Sequence, residues 1–587
     1  MKWLRNLMQH FFAELLMMQM EPLKISSWAV VFVSLAFAAL FALAAPLLKD
    51  HVLGVSDARL HAMWTHEFAS ALADGVFIPR WVTVANGGLG EPAFLYLHPG
   101  YYYAASALFS TGLSLKFTTF GTLFISNIAL GLVTFHYLRR NFTWITALIG
   151  ALLVQATPSL AGLGQMYGAY PWYFSTFGAA VSIFETAALL QDQSTKRIRT
   201  IAVGVFLTTV CHVLTSFMVL LCCGGALLAM IAFSHDSRFR VQILRSWIIG
   251  VAIGLGLAGF YLIPALFLQR YVSPSNWLVS GHIDWQNSFL FPIFSAHTFG
   301  THWNAFQYYF PGVSIGMFFA GGILAWLSRS RVESSAKFYL FCGGFSLILG
   351  SEVAFPLWEH VEAFQRLQRG YRFQVILALC AVAFMVTASG RDLIWRRPTV
   401  VGFVWLAMIA ITVATTIGIN LKVASGEGVR IADAFSFAKN NSGPREYATA
   451  IRGPKWQSYL TQGGLAGYCL RQELECVAVD NKAHELNVQV SSERTNRLVL
   501  PRFSFPFWDV FVDGSLVPLE YETETGLISV PVQSGVHSIL VRYRRMDTEI
   551  VGLCLSLICL ALVVFGLPLL QRRWHRETYV VSPPPQN

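Results

Sequence analysis

The chain has 587 residues, 55% of them hydrophobic and only 13% charged, with a mean hydropathy of +0.52. That polar complement is too small to coat a soluble globule of this length, which leaves a polytopic membrane protein. The net charge of +10 does not mark a nucleic-acid binder, because the lysines and arginines fall in short clusters between apolar runs, a pattern of membrane topology.

Residues 1–25 carry early charges and no small-residue cleavage site before a long apolar run, so they read as a retained cytoplasmic segment. A span needs about 20 apolar residues. Candidates lie near 26–48, 118–138, 143–160, 172–190, 200–233, 247–268, 312–327, 337–355, 372–390, 399–420 and 548–570. The run 200–233 is too long for one crossing. Basic groups flank it on both sides, Lys196, Arg197 and Arg199 before and Arg238, Arg240 and Arg245 after. It therefore predicts two short helices turning near Cys211 to Thr215, and about twelve spans in all.

Basic residues at Lys2, Arg5 and Lys24, Arg139 and Arg140, Arg329 and Arg331, Arg391, Arg396 and Arg397, and Arg572 and Arg573 mark alternate loops. Both termini are then expected in the cytoplasm, and loops 49–117, 269–311 and 356–371 outside. Residues 97–113, "LHPGYYYAASALFSTGL", are apolar enough for a span, but counting them would invert Arg139 and Arg140. They predict a helix lying at the outer interface.

After the membrane part, 26–420, the composition changes. "RLVLPRFSFPFWDVFVDG" and "GLISVPVQSGVHSILVRYRR" alternate apolar and polar residues and are punctuated by Asp513-Gly514 and Ser534-Gly535. Residues 421–547 therefore predict a small extracytoplasmic β-sandwich, and 548–587 a last span with a cytoplasmic tail. Seven cysteines lie in apolar stretches as ordinary buried thiols. Cys469 and Cys476 lie in the polar region and can pair if it is extracytoplasmic. No spacing resembles a zinc or haem site.

Three outer loops hold the candidate chemistry. In "VSDARLHAMW", residues 55–64, a helix capped near Ser56 puts Asp57 and His61 on one face with Trp64 a turn further. Glu67, Arg80, Trp81, Asn86, Glu91 and His98 follow. The bland alternative is an interfacial loop whose charges merely avoid lipid. In "SEVAFPLWEHVEAFQRLQRGYRFQ", Arg366, Arg369 and Arg372 lie outside against the positive-inside rule. On a helix they form a stripe suited to phosphate oxygens. Pairing with Glu359 and Glu362 accounts for two of the three and leaves positive charge for an anionic ligand. The loop 269–311 carries Arg270, His282, Asp284, Trp285, His297, His302 and Trp303, where aromatics beside polar groups suit sugar rings but also form interfacial belts. Tyr167, Tyr170, Trp172 and Tyr173 gather at another outer edge. Glu185 and His212 are intramembrane ionisable groups and hence functional candidates.

Asp57 to His61, "GVFIPRWVTVANGGLGEPAF" and "LHPG" resemble the first outer loop of bacterial multi-spanning proteins labelled 6-pyruvoyl-tetrahydropterin synthase-related, a label that says nothing about pterins here. "FPLWEHVEAFQRLQRGYRFQ" is similar to that family's later loop, and "FSFPFWDVFVDG" with "VQSGVHSILVRY" to its C-terminal β-module. These proteins look like members of the GT-C membrane glycosyltransferase superfamily. The resemblance implies a GT-C-like helical domain and transfer of a sugar from a polyprenyl-phosphate-linked donor to a glycan or lipid acceptor at the outer face of a bacterial inner membrane. Asp57 would be the acidic active-site residue, acting as general base, with His61 orienting it or binding the donor phosphate. Arg59, Arg366, Arg369 and Arg372 would bind that phosphate, and Arg80, Trp81, His98, Trp285, His302 and Trp358 the remaining substrate. Asp57 is followed by Ala58 and Arg59, so there is no Asp-x-Asp pair. Dependence on Mg²⁺ or Mn²⁺ stays open, with Asp57 and His61 as ligands if such an ion is used. Pro99-Gly100 stands where many relatives carry paired prolines. Two rival classes are a transporter or flippase for a lipid-linked glycan, which would place charges at mid-membrane in two similar halves, and a non-catalytic scaffold of an envelope-glycan assembly complex.

Overall fold

A computed structural model describes residues 25–48, 57–192, 194–232, 237–272, 285–293, 305–328, 333–390, 393, 397–425 and 447–567. The apolar runs fold as helices: α1 (Ile25–Ala42), α2 (Ala58–Ala73), α3 (Pro99–Phe109), α4 (Leu115–Leu138), α5 (Trp144–Ala156), α6 (Thr176–Leu189), α7 (Thr195–Cys211) and α8 (Val213–Ala232). There follow α9 (Ser237–Leu257), α10 (Gly259–Phe267), α11 (Phe310–Ser328), α12 (Ser334–Gly350), α13 (Gln374–Ser389), α14 (Pro398–Ser425) and α15 (Asp547–Ala561). The long run 200–233 does break into two helices, at His212, whose backbone is extended. Residues 99–109 form the short helix expected at the interface.

The twelve expected spans can be set against helix length. Among the described residues seven helices are long and apolar enough to cross a bilayer, or eight if α9 and α10, bent by 76°, count as one. The runs at 172–190, 337–355 and the first half of 200–233 do fold, but as α6, α7 and α12 of 14, 17 and 17 residues. At about 1.5 Å rise per residue α7 and α12 run about 26 Å, at the short end of the roughly 17–25 residues that cross a bilayer, and α6 about 21 Å, below it. Helix α13 is buried along its whole length, as befits the axis of a bundle, and Arg372 sits at its entry.

Among the described residues the β-module has seven strands: β1 (Leu474–Lys482), β2 (Glu485–Ser492), β3 (Asn496–Phe503), β4 (Trp508–Val512), β5 (Ser515–Val517), β6 (Leu527–Val532) and β7 (Gly535–Tyr543). They form an antiparallel sheet ordered β1-β2-β7-β4-β5 and a β3-β6 pair. Side chains such as Leu486, Val488 and Val541 of the larger sheet share one apolar core with Leu498, Leu500 and Val530 of the pair, which makes a sandwich. That core also takes in Trp81, Leu89, Tyr96 and Leu268 from the membrane part. Phe503 N donates to Leu89 O at 3.1 Å, and Ala450 N to Tyr271 O at 2.9 Å. The module is thus seated on the first loop and the end of α10. Cys469 and Cys476 are joined as a disulfide, with Cα atoms 6.0 Å apart.

Candidate active site

Asp57 stands at the N-cap position of α2 and its side chain makes no capping bond; the expected cap, Ser56, lies outside the described residues. Asp57 N donates to Tyr167 O at 3.4 Å. The next residue, Gly168, has φ +75, and a Cβ there would lie 2.7 Å from Ala58 Cβ and 2.8 Å from Ala58 N. A glycine is therefore needed for the Leu163–Tyr167 turn to approach the start of α2. Pro99 opens α3, and at Gly100 a Cβ would meet Val210 O and Cys211 Sγ at 2.9 Å, so this glycine lets α3 close on the end of α7.

These approaches enclose a cavity of about 190 Å³. Asp57, His61, His98, His212, Arg366 and Arg372 line it, between aromatic walls that include Trp64, Tyr96, Tyr167, Trp172 and Tyr447. The structure thus brings together residues that lie far apart in the chain. Tyr96, Gln368 and Tyr447 were not legible as cavity residues, since nothing in their neighbouring sequence differs from an interfacial loop.

The arginines do not form a helical stripe. The helix Glu362–Gln365 ends, Gln368 has φ 65, and Arg369 is extended. This bend divides the three. Arg366 lines the cavity while pairing with Glu362 at 2.8 Å. Arg369 packs against tyrosines, with Nη1 donating to the Tyr371 hydroxyl at 2.7 Å and Cζ 5.5 Å from the Tyr167 ring. Arg372 is 8% exposed and its Nη2 donates to Gln368 Oε1 at 3.0 Å, while Nε and Nη1 are buried without a hydrogen-bond partner among the described residues. Leaving such donors unmet costs about 1–3 kcal/mol each, which makes this guanidinium a candidate for binding an acceptor group.

The histidines are neutral. His61 Nδ1 lies 2.7 Å from the Tyr102 hydroxyl, in a cage with Trp64, Tyr101 and Tyr170. Burial, with His98 adding, pushes it down to about 3. His98 is likewise pushed down to about 3 by burial and then by Arg372. His61 therefore brings no positive charge to a phosphate. His212 caps α8: Thr215 N donates to its Nδ1 at 3.2 Å.

Other expected site residues lie elsewhere. Arg80 is buried away from the cavity, Nε donating to Glu549 Oε1 and Nη2 to Phe260 O, each at 2.8 Å. It ties α15 to the bend between α9 and α10 and has no spare reach for substrate. Trp81 is buried edge-on against Phe507 and Trp508 of the β-module. Trp285 stacks on Trp358, whose Nε1 donates to Leu349 O at 2.9 Å; both belong to an aromatic cluster that does not line the cavity. Arg59 is exposed and does not line it either. His302 lies outside the described residues. Glu185 is buried in an ion-pair group with Arg197 at 3.0 Å and Arg140 at 3.4 Å and also accepts from Tyr137, apart from the cavity. Among the described residues no three His, Cys, Asp or Glu side chains converge as a metal cradle, and Asp57 is the one carboxylate on the cavity wall. This donor set does not fit Mg²⁺ or Mn²⁺.

No protein-family model matches the chain, and no curated protein matches it. Among solved structures it is similar to the arabinofuranosyltransferase AftD from Mycobacteria, with TM-score 0.43 and 12% identity over 91% of this chain and 41% of that one. It is similar also to the oligosaccharyltransferase AglB from Archaeoglobus fulgidus in complex with an inhibitory peptide and a dolichol-phosphate, with TM-score 0.40 and 13% identity over 74% and 57%. A third is ArnT from Cupriavidus metallidurans bound to undecaprenyl phosphate, with TM-score 0.39 and 13% identity over 71% and 78%. The chain spans less than half of AftD and less than two thirds of AglB.

Proposed function

We propose that the protein is a membrane glycosyltransferase of the GT-C type, moving a sugar from a polyprenyl-phosphate-linked donor to a glycan or lipid acceptor at the outer face of the membrane. The observation that carries this reading is the meeting of one carboxylate, Asp57, with two guanidinium groups, Arg366 and Arg372, in one aromatic-walled cavity. The sugar chemistry of this reading is what the resemblance of the outer-loop motifs to the multi-spanning family implies. Sidedness is argued from the Cys469–Cys476 disulfide of the module seated beside the cavity, and from Arg140 and Arg197, which gather around Glu185 instead.

Asp57 takes the proton of the acceptor hydroxyl as its oxygen forms a bond to the anomeric carbon. The bond from that carbon to the phosphate oxygen breaks, and the electron pair leaves with the phosphate. Such base assistance is typically worth about 10²- to 10⁴-fold. Arg372, with donors already fixed and desolvated, meets the charge that gathers on the departing phosphate, and Arg366 adds to it. Neutral His61 packs against Tyr102 and Tyr170 one helical turn above Asp57 and holds the wall of the cavity.

The test is transfer of radiolabelled sugar from polyprenyl-phosphate donors by the purified chain. Asp57→Asn should lower transfer by about 10²-fold or more with unchanged expression. Wild-type turnover in that variant removes Asp57 from the role, and lipid translocation without bond formation replaces the transferase reading by a flippase.

A further inference from the structure

We infer that His98 and His212 form a hydroxyl-binding subsite on the cavity wall, one ring offering a hydrogen-bond acceptor and the other a donor to the same sugar hydroxyl. The ligand's identity rests on the sugar-transfer reading above; the chemistry of the two rings rests on their hydrogen bonds.

His98 Nδ1 lies 3.3 Å from the hydroxyl of Tyr261 on α10, and that hydroxyl donates to Tyr96 O at 2.8 Å. A carbonyl has no proton to give, so the single hydroxyl proton is committed to it. The hydroxyl oxygen then accepts from His98, whose proton sits on Nδ1. Burial beside Arg372 keeps this ring neutral, which leaves a lone pair on Nε2. His212 is the reverse case. Thr215 N donates to its Nδ1, so Nδ1 is bare and the proton is on Nε2. The ring centroids are 4.7 Å apart at 77°, and Trp172 stacks on His212 at 6.0 Å and 16°, holding its plane. In each ring Nδ1 is engaged by the protein, and Nε2 is the atom left for a ligand.

A lone pair beside an N–H on one wall selects for chemistry. A hydroxyl can donate to the first and accept from the second; a phosphate oxygen offers only acceptors and an ammonium only donors. The arginines already answer the phosphate, so the pair is suited to a neutral sugar carbon bearing a hydroxyl. An analogue lacking that hydroxyl leaves two buried polar atoms unmet and is rejected accordingly.

Two measurements on the full chain in nanodiscs test this. ¹⁵N-histidine NMR at pH 7, assigned by His98→Asn and His212→Asn, should show a bare Nε2 in His98 and a bare Nδ1 in His212. The same tautomer in both rings, or an imidazolium, overturns the inference whatever binds. Affinity is then measured for undecaprenyl phosphate and for a panel of undecaprenyl-phosphate monosaccharides with their deoxy analogues. At least one sugar should improve binding by about ten-fold over the bare lipid, or about 1.4 kcal/mol, and one deoxy position should abolish the gain. His98→Asn should lose it, and His98→Gln, whose amide oxygen reaches the Nε2 position, should keep most of it. Equal weakening of the bare lipid and the glycolipid in His98→Asn, or no gain from any sugar, overturns the subsite. Failure of undecaprenyl phosphate itself to bind counts against the transferase reading, and the tautomers then decide the subsite alone.

Discussion

Asp57 holds its place through a residue that carries no chemistry. Gly168 is left-handed and presses on Ala58, so Gly168→Ala should store about 1–3 kcal/mol of backbone strain and push the start of α2 outward. The expected outcome is a lower unfolding temperature in detergent together with loss of transfer, partly reversed by Ala58→Gly in the same chain. At Arg372, replacement by lysine keeps the charge but not the planar fork. It should lower kcat about ten-fold with a smaller change in the KM for the lipid donor, read from initial rates. His61 and His98, lowered to about 3 in the folded chain, bind protons in the unfolded chain below about 6.5 but not in the folded one. Their contribution is therefore complete above pH 6.5 and lost as pH falls toward 3, so the unfolding temperature should decline across that window. The pH–rate profile should carry no limb from either ring between 5 and 8. The shared face of Asp57 and His61 was legible because it depends on four residues of helix. The sorting of the three arginines was not, because it turns on the left-handed Gln368, and glutamine seldom signals such a turn.

At the scale of elements, the buried pair Arg80–Glu549 joins the first loop to α15, while Tyr543 and Met546 N also donate to Glu549. Ser556 Oγ accepts from Phe260 N at 2.9 Å, so the last helix satisfies backbone groups freed by the bend between α9 and α10. Arg80→Met alone should cost about 3–5 kcal/mol, because it strands a buried carboxylate. The double variant Arg80→Met with Glu549→Leu should recover much of that loss, as measured by thermal unfolding in a double-mutant cycle. Apolar runs announced the helices themselves. The breaks at His212 and Ala258 shorten or bend them for a different reason: side chains replace the bonds a continuous helix would have made, the His212 ring accepting from Thr215 N in one case and Ser556 of α15 accepting from Phe260 N in the other.

At the scale of the molecule, the β-module shares its core with the membrane part, and its disulfide ties the helix Gly464–Arg471 to β1. If the module faces outward, a membrane-impermeant maleimide added to intact cells should label Cys469 and Cys476 only after reduction; labelling only in lysed cells reverses the proposed sidedness, and labelling of intact cells without reductant overturns the disulfide. Replacing both by serine should cost about 2 kcal/mol for so short a loop. The sequence by itself determined the membrane class, the positions of nearly all helices and the β-rich module. Those properties follow from hydropathy and periodicity over stretches of ten to twenty residues, and such stretches sense only their own neighbours. Tertiary structure alone decided which loop residues face the cavity. Arg80 and Trp81 are as polar or aromatic as Arg372 and Trp172, yet the first two are consumed in seating the β-module and the last helix. The difference is made by contacts between segments hundreds of positions apart, about which a local pattern carries no information.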